Sequence, residues 1–155
     1  MTTLNGIPVA KAEMMIRKPV TEVFEAFIAP AITTKFWFTK SSGRLKEGSR
    51  VRWEWEMYGV SDELNVLAVE RNERIRVQWS DGTETEWSFT PRADNETMVT
   101  ITTSGYTGNG DAIVGRAIDD MGGYTIVLCG AKAYLEHGIQ LNLVADKAPY
   151  ANVNR

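Results

Sequence analysis

The sequence is poor in the residues that most covalent chemistry needs. Its 155 residues include one cysteine, Cys129, and one histidine, His137. A single cysteine excludes an internal disulfide and argues against a zinc cluster. Basic residues are also too few for a polyanion binder, because 17 Lys and Arg stand against 20 Asp and Glu, a net charge of −3. Nucleic acid and anionic lipid both demand a basic face, so neither a nucleic-acid partner nor membrane insertion is expected. No apolar run reaches the length of a membrane span. The first fifteen residues, MTTLNGIPVAKAEMM, lack a basic segment followed by an apolar one, so no secretory signal is expected and the cytoplasm is the expected compartment. No repeat, linker or low-complexity tract interrupts the chain. A single domain over residues 1–155 is expected, large enough to bury a core without metal or disulfide.

What the sequence does have is one long helical pattern near its end. In Asp111 to Leu141, apolar residues recur at Val114, Ile118, Met121, Thr125, Leu128, Leu135 and Ile139, mostly in steps of three and four. Lys132 and Glu136 form an i,i+4 charge pair. Gly122-Gly123 is expected to bend or break the helix near its first third, since each glycine costs ~1 kcal/mol in a helix interior. Met121 to Ala131 carries no charge, so this helix needs cover on most sides. One reading has Ile126, Val127 and Gly130 facing a second copy of the chain, which would make a homodimer.

Ahead of it the pattern is mostly period-two. Residues 1–8 read as a loose arm. Ala10 to Arg17 alternates as a half-buried strand, and Val20, Val23, Phe24 and Phe27 follow at helical spacing. Pro30 ends that helix and can start a second short one, leading to the aromatic cluster Phe36, Trp37, Phe38. Val51, Trp53, Trp55 and Met57 then share one strand face. Leu64 to Glu70 is a further strand, too uniformly apolar to assign its faces. Ile75, Val77 and Trp79 oppose Arg74, Arg76 and Gln78. Asp81-Gly82 marks a hairpin, after which Thr83, Thr85, Trp87 and Phe89 oppose Glu84, Glu86 and Ser88. In the last strand Val99 and Ile101 oppose Met98, Thr100 and Thr102. The parities give one Trp-rich face and one charged face, with Arg74 and Arg76 set to pair with Glu84 and Glu86. The long helix is the cover for the apolar face.

The order strand, two short helices, about six more antiparallel strands and one long C-terminal helix is an α+β arrangement that resembles the helix-grip fold. The chain is similar to the SRPBCC superfamily, which includes START domains and the birch-pollen-allergen proteins. Within it, the chain most resembles the branch of homologues of the activator of heat-shock protein 90 ATPase. PVTEVFEAFIAPAITTKFWF resembles that branch's helix pair, Gly59 with LAVERNERIRVQW its central strands, and GGYTIVLCGAKAYLEHG its helix signature. Tyr124 stands where Trp is common, and Ala131 where Leu often is. The likeness covers roughly residues 9–141. It implies a curved sheet of about seven strands around the long helix, enclosing a cavity that members use for apolar molecules.

The candidate site is therefore an aromatic pocket with no catalytic residue, metal or cofactor. Its expected ligand-binding residues are Phe38, Trp53, Trp55, Trp79, Trp87, Phe89, Met121, Tyr124, Thr125 and Leu128, with Thr85, Thr125 and Tyr124 offering polar orientation. The expected partner is a small apolar or aromatic molecule, lipid- or polyketide-like. Two other readings stand beside it: a protein-interaction module with a chaperone partner in the stress response, and a cyclase- or hydrolase-like enzyme using the same cavity. The same indoles could instead fill the core, although a buried Trp N–H needs a partner. His137 reads as a helix-end residue and Cys129 as packing. SGYTGNGDA reads as a connection ending in an Asn109 or Asp111 cap, and Asp119-Asp120 as solvated surface.

Overall fold

A computed structural model describes residues 6–149, so part of the expected N-terminal arm lies outside the described residues. The chain runs β1 (Ala10–Ile16), α1 (Val20–Ile28), α2 (Pro30–Thr33), β2 (Lys40–Ser41), β3 (Arg50–Trp55), a single 3-10 turn (Glu56–Tyr58), β4 (Val60–Glu70), β5 (Arg74–Trp79), β6 (Glu84–Ala93), β7 (Glu96–Ser104), α3 (Gly110–His137) and α4 (Leu143–Lys147). The strands form one antiparallel sheet in the order β1-β7-β6-β5-β4-β3-β2, which wraps around α3. This is the expected helix-grip arrangement.

Alternation places the side chains as the strand parities require. Val51 and Trp53 of β3, Ile75 and Val77 of β5, Thr85, Trp87 and Phe89 of β6, and Val99 and Ile101 of β7 are all buried on the inner face. On the outer face Arg74 reaches Glu86 at 3.2 Å and Arg76 reaches Glu84 at 3.5 Å. The faces of the apolar run in β4 follow alternation and then a bulge. Leu64 and Val66 point inward and Leu67 outward, and the register shift between Val66 and Ala68 sets Val69 opposite Ile75, packed on the core. Met57 departs from the expected pattern because the strand ends at Trp55 and turns through Glu56–Tyr58 to Gly59, whose φ of 63° suits glycine.

The short helices close one end of the core. Pro19 precedes α1, and Pro30 sits in the first turn of α2, where its missing N–H costs nothing. Phe24 and Phe27 of α1 meet Phe89 of β6 with ring centres 5.1 and 5.9 Å apart, and Phe27 also meets Phe36 at 5.4 Å.

The long helix departs from expectation in two ways. It is continuous through Gly122-Gly123. Helical φ/ψ is open to glycine, and the packed stretches on either side hold the backbone in register across the weak point. Its buried face is also rotated from the expected stripe. Ile113, Ala117, Val127, Leu128, Gly130 and Ala131 are buried, while Ile118 and Met121 are 61% and 48% exposed. Small residues set this face, because the sheet and Phe36 approach too closely for larger ones. A Cβ on Gly130 would lie 3.1 Å from Phe36 Cβ. Val127 and Gly130 are therefore inside the protein and do not form the surface for a second copy.

Both halves of α3 are anchored. Asn109 caps its start, accepting from Ala112 N at 2.9 Å, and Ile113 and Ala117 pack with Ala10 and Tyr106. Near its end Lys132 donates to the Met15 carbonyl of β1 at 2.8 Å and pairs with Glu136 at 2.7 Å, while Glu136 also accepts the Arg17 N–H at 2.7 Å. Gly138 terminates the helix in the left-handed conformation, with φ 68°. Among the described residues no helix is long and apolar enough to cross a membrane.

Candidate functional site, an aromatic cleft with an acidic end

Between the sheet and the middle of α3 the core does not close. A cleft of about 670 Å³ opens there, bounded by β3, β4, β5, the β5–β6 hairpin, α3 and α4. Trp55 and Trp79 come from the sheet, Trp37 from the segment after α2, Tyr58 from the turn after β3, and Tyr124 with Val127 from α3. The last of the walls is α4, which contributes Val144, Lys147 and Ala148. Tyr58 donates its hydroxyl hydrogen bond to the Val144 carbonyl and so ties α4 over the opening.

Trp37 is the organising ring. Its centre lies 4.9 Å from Trp53, 5.9 Å from Trp87, 5.9 Å from Tyr124 and 6.5 Å from Trp55, mostly in edge or tilted arrangements that suit the aromatic quadrupole. Beside it a polar network is set into the inner face of the sheet. Trp79 Nε1 donates to Thr85 Oγ1 at 2.8 Å, which lies 2.7 Å from Thr103 Oγ1 and 3.1 Å from the Tyr124 hydroxyl. Burial pushes the Tyr124 phenol up to about 12, although its threonine contacts favour the charged form, so at neutral pH it stays a neutral donor and acceptor.

One end of the cleft is acidic, with Asp62 on β4, Asp81 in the hairpin, and Asp119 and Asp120 on α3. Arg116 is bound to Asp81 at 2.5 Å and lies 5.3 Å above the Tyr106 ring. Burial works to raise the Asp81 carboxyl, but hydrogen bonds from Thr83 and the charge of Arg116 hold it below its usual value. Asp120 shifts the other way. Burial raises it, against the Tyr106 hydroxyl that donates to Asp120 Oδ2 at 2.5 Å and the charge of Arg116, with repulsion from Asp81 and Asp119 adding to the rise. The reading of Asp119-Asp120 as plain solvated surface is thus wrong for Asp120, because helical geometry turns it toward Tyr106 and the cleft while Asp119 stays exposed.

Of the residues expected at the site, Trp55, Trp79 and Tyr124 line the cleft together. Trp53 and Trp87 lie behind them at 1% exposure, and Phe38 stacks on Trp53 with ring centres 4.2 Å apart. Phe89 packs on α1, and Leu128 is fully buried in the core. Met121 and Thr125 face away from the sheet, with the Thr125 hydroxyl donating to the Met121 carbonyl at 2.7 Å. Buried indole N–H groups do not all find partners, since Trp79 has one but Trp53 and Trp87 have none among the described residues. His137 and Cys129 are not in the cleft wall, and among the described residues no three His, Cys, Asp or Glu side chains converge to hold a metal. Sequence reasoning missed Trp37, Tyr58, Asp120 and α4. The spacing Arg116, Asp120, Gly123, Tyr124, Val127 was the available signal, being itself one helical face.

Comparison with known proteins agrees with this architecture. A protein from Staphylococcus saprophyticus is 28% identical, superposes with a TM-score of 0.76, and is matched over 86% of this chain and 96% of its own. The Aha1 dimer from Colwellia psychrerythraea is 19% identical with a TM-score of 0.71, over 85% of this chain and 98% of that one. DynU16, from the dynemicin biosynthetic locus, is 22% identical with a TM-score of 0.74, and this chain covers 48% of it and 85% of itself. No curated protein matches the sequence. The family of SRPBCC-type fold described as Activator of Hsp90 ATPase homolog 1-like protein matches residues 17–124, well over half of the chain, and the chain belongs to that family.

Proposed function

We propose that this domain binds a small molecule with a flat apolar body in the cleft between the sheet and α3. The observation that carries the reading is the wall itself: Trp37, Trp55, Tyr58, Trp79 and Tyr124 line one opening of about 670 Å³, with α4 along its outer side. That volume lies within the roughly 300–1,000 Å³ of small-molecule sites, and convergent rings beside a few fixed polar groups are their usual lining. Trp55, Tyr58, Trp79 and Tyr124, half-buried beside the buried Trp37, give contact area at low cost in side-chain entropy. No step of covalent chemistry is assigned to any residue. The Thr85–Tyr124 network sets the ligand's orientation through the Tyr124 hydroxyl.

The test uses N-phenyl-1-naphthylamine, a neutral dye that brightens in apolar surroundings. Saturable brightening, with quenching of tryptophan emission, is expected for the wild type and for His137→Ala. Gly123 lines the cleft and a Cβ there meets nothing within 4 Å, so Gly123→Leu should project into the space and weaken the signal severalfold while the fold persists. Dye binding unaffected by Gly123→Leu would overturn the proposal.

A further inference from the structure

The acidic end of the cleft gives the ligand a charge, an inference that rests on the binding reading above. The described residues that line the cleft include four carboxylates, Asp62, Asp81, Asp119 and Asp120, and two cations, Arg116 and Lys147. The cations restore balance only in part at the inner position, where the charge of Arg116 opposes the burial of Asp120 without outweighing it. Arg116 is committed to Asp81 at 2.5 Å and to the face of Tyr106, and Lys147 lies on α4, its Nζ beside Gly122. Asp120, on α3, is left with the neutral Tyr106 hydroxyl as its direct partner. The carboxylates are too dispersed to form a metal site, since no three acidic, His or Cys side chains converge among the described residues. Spread negative charge around a cavity of rings suits a larger cation, because ring faces and carboxylates both attract an organic ammonium. A carboxylate- or phosphate-bearing ligand would meet the same field as repulsion.

We propose that the cleft selects an organic amine, its apolar body against Trp37, Trp55 and Trp79 and its protonated nitrogen turned toward Asp120 and Asp119. The raised proton affinity of Asp120 is consistent with this. Its burial and the neighbouring Asp81 and Asp119 disfavour the carboxylate more than Tyr106 and Arg116 favour it, and an arriving ammonium would tip that balance toward the charged form. Every charged group packed around it enters that balance: Arg116 and Asp119 on α3, Asp81 in the hairpin, Asp62 on β4 and Lys147 on α4.

The experiment is displacement of bound N-phenyl-1-naphthylamine at pH 7 by three probes of one shape: 4-phenylbutylamine, 4-phenylbutan-1-ol and 4-phenylbutyrate. The amine is expected to compete at a concentration about tenfold below the carboxylate, with the alcohol between them. Asp120→Asn, which retains an acceptor for Tyr106, should remove most of that advantage, read as the ratio of amine to alcohol competition within the same variant. Asp119→Asn, at an exposed position, should reduce it in part. An alcohol that competes as well as the amine, or a carboxylate that competes better, overturns the inference and leaves the cleft reading intact. Failure of the dye itself to bind removes both.

Discussion

The indole N–H of Trp79 donates to the Thr85 hydroxyl at 2.8 Å, and with Thr103 and Tyr124 also in reach that hydroxyl has no capacity left. A hydroxyl has one hydrogen and two lone pairs, and three neighbours use them all. Thr85→Val keeps the shape and removes the hub, leaving Trp79, Thr103 and Tyr124 each short of a partner in a buried setting. A loss of about 1–3 kcal/mol in urea unfolding is expected, recovered in large part by Thr85→Ser. A Thr85→Val protein as stable as the wild type would show that these groups find other partners.

The clasp between α3 and β1 should be pH-dependent. Burial acts to raise the Glu136 carboxyl, but the Arg17 N–H and Lys132 ammonium outweigh it and hold it below its ordinary 4.5. A carboxyl whose folded value lies below its unfolded one adds stability that is fully present above about pH 4.5 and is lost as pH falls through the lower, folded value. Glu136→Gln should therefore cost about 1–2 kcal/mol near pH 7 and progressively less in acid, where the wild type loses the same contribution. Denaturation curves at pH 7 and in the acid limb measure the difference.

Two glycines of α3 should respond to alanine with opposite signs. A Cβ at Gly115 meets nothing within 4 Å, so Gly115→Ala should stabilise by about 0.5–1 kcal/mol through helix propensity alone. At Gly130 the new Cβ would press on Phe36 Cβ at 3.1 Å and on the Phe36 carbonyl at 3.4 Å. The helix would have to move off the aromatic segment, so Gly130→Ala should destabilise by about 1 kcal/mol despite the same propensity gain. Paired thermal melts decide the point.

Tyr58→Phe cuts the hydrogen bond that ties α4 over the cleft. Association and dissociation of N-phenyl-1-naphthylamine, followed by stopped-flow fluorescence, should both quicken severalfold, with a smaller change in affinity. Unchanged rates would mean that α4 does not lie across the entry path.

Period-two alternation made the sheet legible in advance, because burial on one face only leaves strands such as Arg74–Trp79 a single workable parity. The helix face was harder to read. Large apolar residues at Ile118 and Met121 suggested a stripe, yet the buried stripe runs through Ala117, Gly130 and Ala131, where close approach selects small side chains that hydrophobicity ranks low. The cleft was half legible for a related reason. Tryptophan identity marks Trp53, Trp55, Trp79 and Trp87 alike, and only the position of Trp37 and the bend after β3 decide which rings are covered and which remain at an opening. Asp120 looked like surface because its partner, Tyr106, comes from a loop that no periodicity describes.

The unbroken passage of α3 through Gly122-Gly123 has a consequence for amide exchange. Two residues without Cβ atoms, of which Gly123 lines the cleft, leave the local helical hydrogen bonds lightly shielded from solvent, between an anchored start at Asn109 and a deeply packed stretch from Val127 to Ala131. Deuterium should enter the backbone around Gly122 and Gly123 well before it enters Val127 to Ala131. An occupant of the cleft would cover that same turn, so slower labelling there would register binding without any change elsewhere in the helix.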